Sequence, residues 1–121
     1  MIARLIVDLA KLGVRLGPNG IDRTIPVNVQ SGTTYTLQAS DNGKILRFTS
    51  GSAVTVTVNT AVAVAGFNCL LEQAGAGQIG FDGTATVVNV DSHTKTAGQG
   101  AVCALHCSVA GTVNFYGKTA A

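Results

Sequence analysis

The stretch Gln73-Ala74-Gly75-Ala76-Gly77-Gln78-Ile79-Gly80-Phe81-Asp82-Gly83-Thr84-Ala85-Thr86-Val87-Val88-Asn89-Val90 decides the fold class. It reads as a strand, a tight glycine turn, a second strand, an Asp-Gly turn and a third strand. Glycine supplies backbone angles closed to other residues, and Asp bonds its own backbone in turns. Val and Thr between the turns fit a pleated, half-buried surface. Downstream, Thr96, Gly98 and Gln99 precede a last pair of strands ending at Asn114-Phe115-Tyr116-Gly117. Upstream lie Tyr35-Thr36-Leu37, the turn Asp41-Asn42-Gly43-Lys44, and Ala53-Val54-Thr55-Val56-Thr57-Val58.

From Thr33 onward the apolar period is two. Strands are predicted at residues 33–38, 44–49, 53–59, 67–73, 77–81, 85–90, 101–109 and 112–117. Asn42-Gly43 is a strong hairpin signal, and Gly51-Ser52, Gly75 with Gly77, Asp82-Gly83 and Ala110-Gly111 mark the other turns. About eight short strands at regular spacing predict an all-β domain, an antiparallel β-sandwich or jelly-roll-like barrel. A faint echo links Phe48, Gly51 and Val54 with Phe81, Gly83 and Thr86. It suggests two similar hairpins facing each other across a core and is too weak for a solenoid. Residues 61–65, Ala-Val-Ala-Val-Ala, form an apolar loop that either makes a contact surface, with Val62 and Val64 outward, or tucks under the sandwich as core.

Ahead of the β domain at 33–121 lies an arm, residues 1–32. Ile2, Leu5, Leu9, Leu12 and Leu16 are spaced three, four, three, four, which predicts a short helix over residues 1–16 with one apolar seam. Arg4, Asp8, Lys11 and Arg15 fall on its other side. A strand reading survives, because Leu5, Val7 and Leu9 alternate with Arg4, Ile6 and Asp8. Gly17-Pro18-Asn19-Gly20 is expected to stop the helix. So short a helix needs a surface to pack on: its own domain, a second copy, or another protein. Beyond it, Ile25, Val27 and Val29 alternate with Pro26, Asn28 and Gln30, the pattern of a short edge strand.

The chain has 121 residues, enough for one domain with its own core. Only 12% of residues are charged, 46% are hydrophobic, and mean hydropathy is +0.37. So greasy and under-charged a chain is expected to be a homo-oligomer or an assembly subunit. Net charge is +2 and the few aromatics are not interleaved with Lys or Arg, which argues against nucleic-acid binding. No apolar run approaches the ~20 residues of a membrane span, and the N-terminus lacks the layout of a signal peptide.

Little in the sequence suggests catalysis. The carboxylates Asp8, Asp22, Asp41, Glu72, Asp82 and Asp91 form no pair at a spacing suited to acid–base work. The serines sit mostly in turns, and Gly75-Ala76-Gly77 opens no helix that would hold a phosphate. Cys69, Cys103 and Cys107 are odd in number, so reduced, buried cysteines in a reducing compartment are expected. Cys103, His106 and Cys107 have the types of a zinc site, but alternation along a strand turns the cysteines inward and His106 outward. Catalytic residues, cofactors and metals are therefore not expected.

In this order the pieces between Thr33 and Thr119 resemble a small all-β module of tailed-phage virion proteins: capsid decoration or cement proteins, head fibres and tail fibres. Asn59 stands where relatives often carry Pro, and Asn114-Phe115 where they often carry Trp. The resemblance implies a non-enzymatic virion structural protein, most simply a decoration or cement protein on the phage head surface, assembled in the host cytoplasm. It implies a homo-oligomer, with a trimer favoured, seated on the major capsid protein. Ile2, Leu5, Leu9, Leu12 and Leu16, with Val62 and Val64, are then the expected docking or oligomer contacts. The alternative is a tail-fibre or spike module that binds a receptor or glycan. An exposed Tyr35 beside Asp or Asn would favour that alternative, and a buried Tyr35 with an apolar docking face would favour cementing.

Overall fold

The computed structural model describes residues 24–121, together with the backbone of two short strands before them, β1 (Arg15–Gly17) and β2 (Gly20–Asp22). Then follow β3 (Val27–Gln30), β4 (Thr34–Thr36), β5 (Ile45–Phe48), β6 (Val54–Thr57), β7 (Asn68–Gln73), β8 (Ile79–Asp82) and β9 (Thr86–Val88). The chain ends with β10 (Lys95–Thr96), β11 (Val102–Val109), β12 (Thr112–Gly117) and β13 (Thr119–Ala120). Each of the eight strands expected from period two is present, and β3 is the edge strand expected around Val27 and Val29. The two-residue strands β10 and β13 carry too little pattern to be read from sequence. The helix expected over residues 1–16 lies mostly outside the described residues. At its last two positions, Arg15 and Leu16, the backbone is strand, paired antiparallel so that Gly17 faces Gly20.

The strands connect differently from the expected antiparallel sandwich or jelly roll. A wide sheet has the order β3-β5-β7-β11-β12-β9 and a narrow one the order β13-β10-β8-β6-β4. Consecutive strands from β3 to β8 alternate between the two sheets. Neighbours within a sheet therefore run parallel: β3 with β5 and β5 with β7 on one side, β4 with β6 and β6 with β8 on the other. The result is solenoid-like, three stacked coils sharing one interior. Asn42-Gly43, Gly51-Ser52, Gly75 with Gly77, and Asp82-Gly83 are corners that carry the chain from one sheet towards the other, and no hairpin forms at them. Ala110-Gly111 does close a hairpin, between β11 and β12, with Gly111 at φ 89°.

Beyond β8 the winding stops. β11 runs antiparallel to β7, β12 antiparallel to β11, and β9 parallel to β12. β10 is antiparallel to both β8 and β13. Stacked corners explain two of the glycines. A Cβ at Gly77 would overlap the Ser52 carbonyl oxygen, and one at Gly75 the Ser50 carbonyl oxygen, so these residues let one coil close against the one before. The Gly77 amide donates to that Ser50 oxygen at 3.0 Å.

The interior is filled by Leu46, Phe48, Leu71, Leu105 and Phe115 from the wide sheet and Val54, Val56 and Ile79 from the narrow one. Each such side chain contributes about 1.5–3 kcal/mol through its burial. Phe81 meets Phe115 edge-on across the two sheets, centroids 4.7 Å apart. Gln73 is fully buried where the inward pattern calls for an apolar residue. Its amide nitrogen donates to the carbonyls of Gly75 and Ala76 at the corner, and its oxygen accepts the Thr96 hydroxyl at 2.6 Å. Thr96 accepts in turn from the Ile79 amide, so one polar knot joins β7, β8 and β10. Cys69, Cys103 and Cys107 are all free and buried, as expected of reduced core cysteines.

Candidate functional site: the outer face of the wide sheet

Alternation fixes which residues of the wide sheet face outward, and register fixes how they line up. Val27, Ile45, Leu70, Ala104 and Tyr116 stand side by side on β3, β5, β7, β11 and β12. With neighbouring strands about 4.8 Å apart, this apolar row runs about 19 Å across the face. Next to it lies a second row, Val29, Arg47, Glu72 and Val102. Arg47 and Glu72 form an ion pair there, and the guanidinium donates to the carboxylate. A third row brings Asn68, His106, Asn114 and Val88 together.

Large apolar side chains on this face are open to solvent. Val27 is 54% exposed, Val29 58%, Val102 50% and Tyr116 47%. Ile45, Leu70 and Ala104, between them, are half-buried by their neighbours. The Tyr116 ring packs edge-on against His106 at 5.3 Å, and Asn114 approaches the His106 Nε2 at 3.4 Å. A contiguous apolar row rimmed by polar groups is the physical signature of a contact surface.

The outward turn of Val27 and Val29 has a local cause. Asp41 is fully buried beneath β3 and draws the polar residues of that strand inward. Asn28 donates to Asp41 Oδ1 at 3.0 Å and to the Tyr35 hydroxyl oxygen at 3.0 Å, and Gln30 donates to Asn28 Oδ1 at 2.8 Å. The Tyr35 hydroxyl donates to Asp41 Oδ2 at 2.6 Å, and the Gln38 amide donates to the same oxygen. Burial pushes the Tyr35 hydroxyl up to about 12, with the adjacent Asp41 carboxylate adding to the effect. Burial, again followed by Asp41, pushes the Cys69 thiol up to about 12, and burial raises Cys103 as well. All three groups are held protonated, the less nucleophilic form.

The other sequence candidates are dispersed. In the loop at residues 61–65, Val62 and Ala63 are buried and join the core, while Val64 is 52% exposed beside a surface depression of about 300 Å³. That loop is thus core at Val62 and Ala63 and surface at Ala61, Val64 and Ala65. Ile2, Leu5, Leu9 and Leu12 lie outside the described residues, as does the side chain of Leu16. Cys103 and Cys107 point inward and His106 outward, as strand alternation requires. Among the described residues no group of three or more His, Cys, Asp or Glu side chains is placed to hold a metal ion. No helix among them is long and apolar enough to cross a membrane.

Sequence reasoning missed the outer row because it is a property of register. Ile45, Leu70 and Tyr116 are far apart in the chain and look unremarkable within their own strands. The exposed valines of β3 were legible as alternation, but not their direction. The chain matches no protein-family model, and neither the curated proteins nor the solved structures contain a match to it.

Proposed function

We propose that this chain is a non-enzymatic structural protein of a tailed-phage virion. Its role would be that of a capsid decoration or cement protein, stabilising the head shell by protein–protein contacts. The observation that carries the reading is the apolar row Val27, Ile45, Leu70, Ala104 and Tyr116 across the outer face of the wide sheet. Folding requires apolar residues on the inner face only, so a second apolar row suits a chain that works by contact. Tyr35 supports the same reading. It is half-buried, and its hydroxyl is committed to Asp41 and Asn28, which leaves it no free platform for a sugar. Low charge and positive mean hydropathy agree with assembly into something larger.

A second reading, a glycan- or receptor-binding module of a tail fibre or spike, draws on Tyr116. That ring is exposed and stands beside Asn114 and His106, an aromatic with amide and imidazole groups at hand. One experiment separates the two. The purified chain is mixed with expanded, undecorated head shells of the phage that encodes it, and the shells are pelleted and melted. Saturable co-pelleting with a raised shell melting temperature is expected. Absence of shell binding, together with glycan-array binding lost in Tyr116→Ala, would replace the first reading by the second.

A further inference from the structure

We infer that the outer face of the wide sheet docks against the same face of a second copy of this chain, through a two-fold axis that runs parallel to the strands between β5 and β7. The inference rests on the reading above of this face as a contact surface, and it assigns that contact to a second copy of the chain, as a dimer where the resemblance favoured a trimer.

Charge placement on the face carries it. The outward positions of β3, β5, β7 and β11 hold one cation and one anion of fixed charge, Arg47 and Glu72, adjacent in one row. Two identical faces stacked through an in-plane two-fold axis exchange the positions on either side of that axis. An axis between β5 and β7 therefore sets Arg47 over the partner's Glu72, and Glu72 over the partner's Arg47. An axis on β5 or on β7 instead sets one of these charges over its own like and the other over a valine, and an axis along the charged row sets each over its own like.

The same operation matches the apolar positions. Ile45 falls over the partner's Leu70 and Val27 over the partner's Ala104, because these pairs lie at equal distances on either side of the axis. In the charged row Val29 falls over the partner's Val102. Tyr116, one strand further out on β12, reaches the rim beyond the partner's β3. Side chains at the rim exclude water from the centre of a contact and add little to its energy themselves. The arrangement is an ordinary aligned packing of two sheets, about 10 Å apart, with each patch facing its own copy.

Two charge reversals test the inference together. Arg47→Glu gives a face with two carboxylates, and Glu72→Arg gives a face with two guanidinium groups. Neither face complements itself, but each complements the other. The native chain is expected to scatter light as a species of twice its 12.2 kDa mass. Each variant alone is expected to dimerise on the order of a hundredfold more weakly, as like charges meet in the contact. An equimolar mixture is expected to recover the dimer. Recovery on mixing also shows that both variants are folded.

A native monomer or trimer would overturn the inference, as would a dimer that neither reversal weakens, or variants that stay monomeric when mixed while each keeps a native circular-dichroism spectrum. These results are separable from the virion reading. Shell binding by a chain that is monomeric on its own would keep that reading and discard the two-fold contact. A dimer that obeys the charge swap but binds no shell would do the opposite.

Discussion

The two sheets enclose the same interior but show solvent different chemistry. On the outside of the narrow sheet, register aligns Thr34, Thr55, Gly80 and Lys95 in one row and Thr36, Thr57 and Asp82 in the next. The Thr57 hydroxyl donates to Asp82 there. On the outside of the wide sheet the corresponding rows hold Val27, Ile45, Leu70, Ala104 and Tyr116 beside one ion pair. Both sheets satisfy the same inward demand for apolar residues. Their outer faces are thus free to differ, and they do: hydroxyl groups line one and an apolar row crosses the other.

The largest expected effect comes from breaking what the sheets share. Phe115→Ala removes the ring that meets Phe81 across the interior and should cost about 3–5 kcal/mol in chemical denaturation. Asp41→Asn comes next. It sets an amide nitrogen against a carboxylate's worth of donors from Tyr35, Asn28 and Gln38, and should cost about 1–3 kcal/mol. A cost of that size would show that the hydrogen bonds gathered on Asp41, that of Asn28 among them, stabilise the fold. An unchanged midpoint would mean that they do not.

Alkaline pH probes the place where β4 and β7 meet around Asp41. Tyr35 and Cys69 both have their pKa raised in the folded chain, to about 12 from ordinary values of 10.0 and 9.0. The folded state then holds protons that the unfolded chain has released, so the contribution of these two groups to stability is full below about pH 9 and is lost between pH 9 and 12. Tyr35→Phe should lessen the slope above about pH 10 and Cys69→Ala the slope above about pH 9, each leaving the other group's share of the fall. Urea midpoints measured across that range would show it, and identical slopes in all three chains would contradict it. The smallest effect is expected on the hydroxyl face, where Thr55→Val should change the denaturation midpoint by no more than about 0.5 kcal/mol.

The strands themselves were legible because the period-two pattern of Val54, Val56 and Val58 or of Cys103, Leu105 and Cys107 is local. Their pairing was not. Corners rich in Gly, Asn and Asp have the composition of hairpin turns, and nothing near Asn42-Gly43 says that the chain crosses to the other sheet. Unequal coils hid the repeat as well: Val27 pairs with Ile45, 18 residues on, but Ile45 pairs with Leu70, 25 on. The echo between Phe48 and Phe81 followed composition, whereas register places Phe48 beside Gln73 and Val56 beside Phe81. The burial of Gln73 was not legible either, since an amide facing inward is satisfied only by a corner and a β10 strand too short to foresee.

The central contrast is between a contact surface on the outside of the wide sheet and a solvated one on the outside of the narrow sheet. Light scattering of two lysine variants tests that most directly, Leu70→Lys in the apolar row and Thr55→Lys at the matching place on the hydroxyl face. Loss of the associated species in Leu70→Lys, with Thr55→Lys indistinguishable from the native chain, is the expected result. Association that survives Leu70→Lys, or that is lost equally in both variants, would contradict it.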